Sequence, residues 1–71
     1  MLSVTTWRLT RLGNEQAECR VTAREGYWDL EVREGRRITI AERCASDDAA
    51  MERATEIWRV LTEQGWTEPR H

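Results

Sequence analysis

Two runs of strict alternation flank a two-residue link, and they constrain the fold more than anything else in the chain. In residues 17–24, Ala17, Cys19, Val21 and Ala23 alternate with Glu18, Arg20, Thr22 and Arg24. In residues 27–33, Trp28, Leu30 and Val32 alternate with Tyr27, Asp29, Glu31 and Arg33. A period of two is that of a strand with one face buried. Glu25-Gly26 separates the runs, with glycine where a tight turn requires positive φ. Taking that pair as the turn sets Arg24 opposite Tyr27 and Ala23 opposite Trp28. The apolar faces then coincide, so pattern and register agree.

The hairpin extends at both ends. Arg36 to Cys44 reads as a further strand, with Ile38 and Ile40 expected on the face of Val32 and Leu30. A strict two-residue turn at Glu34-Gly35 would set Val32 against Arg37, so a three-residue loop or a bulge is expected there. Upstream, Trp7 and Leu9 share one face of a first strand that turns at Gly13-Asn14. The expected strands cover residues 4–12, 16–24, 27–33 and 36–44.

A helix is expected over residues 47–64. Ser46, Asp47 and Asp48 offer a cap and negative charge at the positive end of the helix dipole. Ala50, Ala54, Ile57, Trp58 and Leu61 then follow at helical spacing. Gly65 reads as the stop, with Trp66 returning against Leu61 as in a Schellman ending. Pro69 forbids continuation, and residues 69–71 are expected to fray. The whole is a single α+β domain over residues 1–71: an antiparallel β-meander of three to four strands packed against one C-terminal helix.

At 71 residues such a domain is near the lower limit for folding unaided. Four tryptophans and no phenylalanine supply the large side chains, and Trp7, Trp28 and Trp58 are expected in the core. Dimerisation through the first strand, whose edge has neither Pro nor Lys, is one way to extend that core. The chain is therefore expected as a monomer or a homodimer. No apolar run approaches the ~20 residues of a membrane span, so no membrane is expected as a partner. The N-terminus lacks the basic start and apolar stretch of a signal peptide. The expected location is thus cytoplasmic, with Cys19 and Cys44 reduced.

Little in the sequence suggests catalysis. The single histidine is His71, with no nucleophile or acid placed to work with it. Gly13, Gly26 and Gly35 read as turn residues and not as a phosphate loop. Cys19 and Cys44 are isolated, unlike metal ligands at recurring spacing. The register sets Cys19 beside Val32 and Cys44 past the Trp28 end of the sheet. No enzyme, metal or cofactor is expected. Glu42 is the one acid assigned to the inward face, opposite Trp28.

Two charged surfaces remain. All 11 basic residues are arginine, the residue suited to bidentate pairing with carboxylate or phosphate. The exposed sheet face is expected to carry Arg8, Arg20, Arg24, Arg33, Arg37 and Arg43 with Tyr27, among the acids Glu18, Asp29 and Glu31. Arginine and tyrosine are common interface anchors, but such a face can also be a lattice of weak cross-strand ion pairs. The helix half is acidic: residues 45–71 hold three arginines and six acids, against eight and seven in residues 1–44. Asp47, Asp48, Glu52, Glu56 and Glu63 would form its binding face.

Two resemblances follow from these residues. Gly26 to Val32, Glu34-Gly35-Arg36-Arg37 and the capped helix opening at Ser46-Asp47-Asp48 resemble the three-stranded sheet plus helix of arm-type, AP2-like DNA-binding domains, over residues 17–64. That resemblance implies a sheet entering the major groove, with Arg20, Arg24, Arg33 and Arg37 as readers. Such domains are basic, whereas this chain is acidic. The short acidic chain with a sheet, one helix and no evident chemistry also resembles small phage anti-defence proteins, including anti-CRISPR proteins. That likeness implies an inhibitor of a host nucleic-acid-handling complex, met through its basic surface by the acids of the helix. The leading expectation is this non-catalytic protein-binding module, and the alternative is a small nucleic-acid-binding domain using the sheet.

Overall fold

The structure, a computed structural model, describes residues 2–69. Four strands, β1 (Ser3–Arg11), β2 (Glu15–Ala23), β3 (Trp28–Glu34) and β4 (Arg37–Cys44), precede one helix, α1 (Asp47–Glu63). The strands form one antiparallel sheet in the order β1-β2-β3-β4, and α1 covers one side of it. The architecture is the expected α+β meander with a C-terminal helix. His71 lies outside the described residues, as does most of the stretch expected to fray.

The central hairpin has the expected register, with Ala23 opposite Trp28 and Cys19 opposite Val32. The Arg24 amide donates to the Tyr27 carbonyl at 2.9 Å, and Gly26 sits at φ 83°. Leu9, Ala17, Cys19, Val21, Leu30 and Val32 point toward the helix and are buried. From above, Ala50, Ala54, Ile57 and Leu61 close onto them. Trp7, Trp28, Ile40 and Trp58 pack around this centre half-buried.

Both ends of α1 follow from local chemistry. The Ser46 hydroxyl accepts from the Ala49 amide at 3.1 Å, satisfying one of the donors left open in a first turn. At the other end Gly65 takes φ 99°. The Trp66 amide reaches the Leu61 carbonyl and the Gly65 amide that of Thr62, the paired bonds of a Schellman ending. Trp66 is thereby turned into the core beside Leu61.

Of the two irregularities expected between β3 and β4 the structure has the bulge, and its position moves several side chains. The turn is Gly35-Arg36, with Glu34 opposite Arg37, and a bulge follows in which Thr39 is the extra residue between Ile38 and Ile40. The bulge restores the inward face for Ile40, opposite Val32. It does not do so for Ile38, which pairs with the outward Arg33 and is 48 % exposed. Glu42 lies opposite Leu30 and not Trp28; Cys44 is the residue facing Trp28 and is not past it.

The chain also does something after α1 that its composition did not suggest. Thr67 exchanges two backbone bonds with Thr10, at 2.7 and 2.8 Å. The lower half of the β1 edge is therefore covered, where the whole edge was expected open.

Candidate functional site

The two surfaces singled out in the sequence exist on opposite sides of the molecule, and their electrostatics differ. On the open side of the sheet, register brings Arg8, Glu18 and Arg33 into one row and Arg20 and Glu31 into the next. Thr22, Asp29 and Arg43 form a third. Arg8 and Arg20 share Glu18 at 3.6 and 3.8 Å. Arg24 binds Asp29 at 2.8 Å, and Arg33 binds Glu31 at 3.0 Å. The Arg43 guanidinium lies 3.9 Å from the centre of the Tyr27 ring, a cation–π geometry. Five arginines against three acids leave this face two charges positive (5 − 3).

Arg37 is not part of this row. Its partner Glu34 lies opposite Ala17, whose side chain is buried under the helix. The two-residue turn has placed Arg37 on the helix side of the sheet, so Arg37 cannot act with Arg20, Arg24 and Arg33.

On the outer side of α1, the residues expected to bind are all exposed. Helical spacing of about 100° per residue aligns Asp48, Glu52, Glu56 and Glu63 on one line. Asp47 sits off that line, in the first turn. Arg59 is the one cation on the line, which leaves it three charges negative (4 − 1). Asp48, Glu52 and Glu63 make no ion pair among the described residues. Glu56 approaches Arg53 at 3.5 Å, but Arg53 is already committed elsewhere.

That commitment is to Glu42. Arg53 donates from Nε and Nη2 to the two carboxylate oxygens of Glu42, each at 2.9 Å. The bond with Arg53 holds the Glu42 carboxyl below its ordinary pKa, against a smaller desolvation effect, and Glu42 raises Arg53 in return. The inward acid of β4 is thus a clasp between sheet and helix. The sequence marked Glu42 as the inward acid, but its partner Arg53 lies 11 residues away and shows only in the packed structure.

On the other side of the helix, Trp7 Nε1 donates to the Ala54 carbonyl at 2.9 Å. At the lower end of the sheet the Arg11 guanidinium lies 4.4 Å from the Trp66 ring centre. Neither contact was anticipated, because each joins residues far apart in the chain.

Burial raises both thiols, that of Cys19 with an opposing effect from Thr6 and that of Cys44 with added repulsion from Glu42. Both cysteines are free, and a raised thiol is a poor nucleophile near neutrality. Among the described residues no group of three or more His, Cys, Asp or Glu side chains could hold a metal ion. No helix is long and apolar enough to cross a membrane. No protein-family model matches the chain, and neither a curated protein nor a solved structure matches it.

Proposed function

We propose that this protein is a non-catalytic binding module that presents the outer acid line of α1 to a basic surface on a protein partner. One observation carries the reading: of the acids of that line only Glu56 has a cationic partner among the described residues, Arg53 at 3.5 Å, while the sheet arginines are engaged with carboxylates or an aromatic ring. Like charges at i, i+4 repel, so a cationic partner relieves strain between Asp48, Glu52 and Glu56 as it binds. A line of like negative charge on one helix face would offer electrostatic mimicry of a phosphate backbone. In its most specific form the proposal is therefore a cytoplasmic, phage- or mobile-element-type inhibitor, similar to anti-CRISPR proteins, that occupies the basic groove of a nucleic-acid-handling complex. Electrostatics of this kind would speed encounter and set specificity more than raw affinity.

The test is affinity capture with three baits: the wild type, Glu52→Arg with Glu56→Arg, and Arg20→Ala with Arg43→Ala. The expected outcome is a captured protein with a basic surface whose binding falls at least about tenfold for the first double variant, a 1.4 kcal/mol effect. The second double variant should retain it. Equal capture by all three baits would remove the acid line from the account.

A second reading has its own observation. The Arg43–Tyr27 stack on a face of net positive charge is a geometry suited to single-stranded nucleic acid, where arginine and aromatic faces receive bases. Fluorescence anisotropy with labelled duplex DNA, single-stranded DNA and RNA at several salt concentrations decides it. Binding that falls steeply with salt and is lost in the Arg20→Ala, Arg43→Ala variant would favour the sheet.

A further inference from the structure

The two acids that β3 sends to the open face are drawn in opposite directions along the strand. Asp29 is bound by Arg24, toward the β2–β3 turn, and Glu31 by Arg33, toward the β3–β4 turn. Over this stretch the face carries a hollow of about 530 Å³, the volume of a small-molecule site. On β4 no large side chain fills it, since Ala41 stands opposite Glu31. Arg20 and Thr22 line it from β2, Ser3 from β1 and Arg43 from β4.

The donors around this hollow are the least committed on the sheet. Arg43 has no carboxylate partner among the described residues. It stacks on Tyr27, and stacking leaves the N–H groups at the rim of the guanidinium plane able to donate. Arg20 meets Glu18 at 3.8 Å, too far for a hydrogen bond, and Glu18 also faces Arg8 at 3.6 Å. Giving up that one contact costs little, whereas Arg24 and Arg33 hold their acids at 2.8 and 3.0 Å. The Ser3 and Thr22 hydroxyls lie 3.0 Å apart. One donates to the other, so the accepting hydroxyl keeps its own proton to give.

We infer that this hollow is a site for a small-molecule phosphate monoester, its phosphate held between Arg20 and Arg43 with the Ser3–Thr22 pair donating from the β1 side. Charge selects the ligand. The open face holds two more positive charges than negative. A phosphate monoester carries about −1.5 to −2 near neutral pH and offers three acceptor oxygens. Two forked guanidiniums and a hydroxyl supply donors for all three. A single carboxylate or a sulfate ester would leave about half of that charge unmatched. The site shares Arg20 and Arg43 with the single-strand reading and nothing with the acid line of α1, so it stands or falls apart from the leading proposal.

Backbone amide shifts in NMR spectra during titration with phenyl phosphate read the outcome. Saturable shifts centred on Arg20, Thr22, Ala41 and Arg43 are expected, with phenyl sulfate, of similar shape and one charge, binding at least about tenfold more weakly. Arg20→Gln and Arg43→Gln should each weaken phenyl phosphate binding by a similar factor. Arg36→Gln, which removes an exposed arginine outside the hollow, should not, and neither should Glu52→Arg with Glu56→Arg. All of these side chains are exposed, so the fold should survive each change, as circular dichroism would verify. The absence of saturable shifts up to about 10 mM phenyl phosphate would overturn the inference. So would equal binding of phenyl sulfate, or indifference to both hollow variants. An oligonucleotide without a terminal phosphate that displaces phenyl phosphate at equal concentration would also overturn it, in favour of a strand laid across the sheet.

Discussion

The open face of the sheet and the outer face of the helix are both crowded with charge, yet only one has its charges internally paired. Strand pairing places residues from different parts of the chain side by side, and here it sets Glu18 between Arg8 and Arg33 and Asp29 between Thr22 and Arg43. The helix instead sets each residue beside those three and four positions away, and Asp48, Glu52 and Glu56 are all acids. A ligand approaching the sheet must displace ion pairs before it gains any. A cation approaching the helix meets carboxylates that already repel one another. The formal net charge of −2 conceals this difference, because the positive sheet face and the negative helix face nearly cancel.

The comparison can be broken without knowing any partner, through stability alone. The largest effect is expected from Glu18→Arg. It removes the acid shared by Arg8 and Arg20 and sets a new cation directly opposite Arg33. Lost pairs and like charges across strands should together destabilise the domain by about 1–2 kcal/mol. Urea unfolding would show this as a lower midpoint at unchanged slope. The same kind of reversal on the helix should act in the opposite direction. Glu52→Arg replaces two repulsive i, i+4 neighbours, Asp48 and Glu56, by two attractive ones, a gain of about 0.5–1 kcal/mol. Should Glu52→Arg destabilise the fold as Glu18→Arg does, the acid line is not under mutual repulsion, and its claim as the binding face weakens.

How much of this was legible in the sequence depended on the distance between the residues involved. The Ala23–Trp28 register followed from Glu25-Gly26 and matched alternation, because a two-residue turn leaves one arrangement with both apolar faces inward. The helix, its Ser46 cap and the Trp66 return were legible because capping is a matter of neighbouring residues. A bulge near Gly35 was also legible, since Val32 and Arg37 could not share a face. Its position was not, as any of several residues can be the extra one. That single residue decided that Arg37 left the open face and that Glu42 came opposite Leu30. The Glu42–Arg53 clasp, the Thr10–Thr67 pairing and the stacking of Arg11 on Trp66 join distant segments, so no local pattern announces them. For the candidate site, the identity of the exposed acids was readable from helical spacing, but which of them have partners required the packed structure.

The Glu42–Arg53 clasp supplies the smallest and sharpest test, because it is an ion pair that belongs to neither charged face. Glu42 titrates below the ordinary carboxylate range in the folded protein, chiefly through its bond with Arg53. The unfolded chain therefore binds more protons between that lowered value and the ordinary one, about 4.3. The stability from this pair is fully present above the ordinary value and is lost as pH falls through the lowered one. Both side chains are more than a third exposed, at 38 % and 35 %, so screening limits the contribution to about 0.5 kcal/mol despite the bidentate geometry. Arg53→Met keeps the packing and removes the charge, so wild type and variant should differ by that amount near neutral pH. The difference should shrink as pH falls below the ordinary carboxylate range and through the lowered Glu42 value. A gap that stays constant across this range would assign the effect of Arg53 to packing, and the helix would then be held to the sheet by its apolar core contacts and the Trp7 bond.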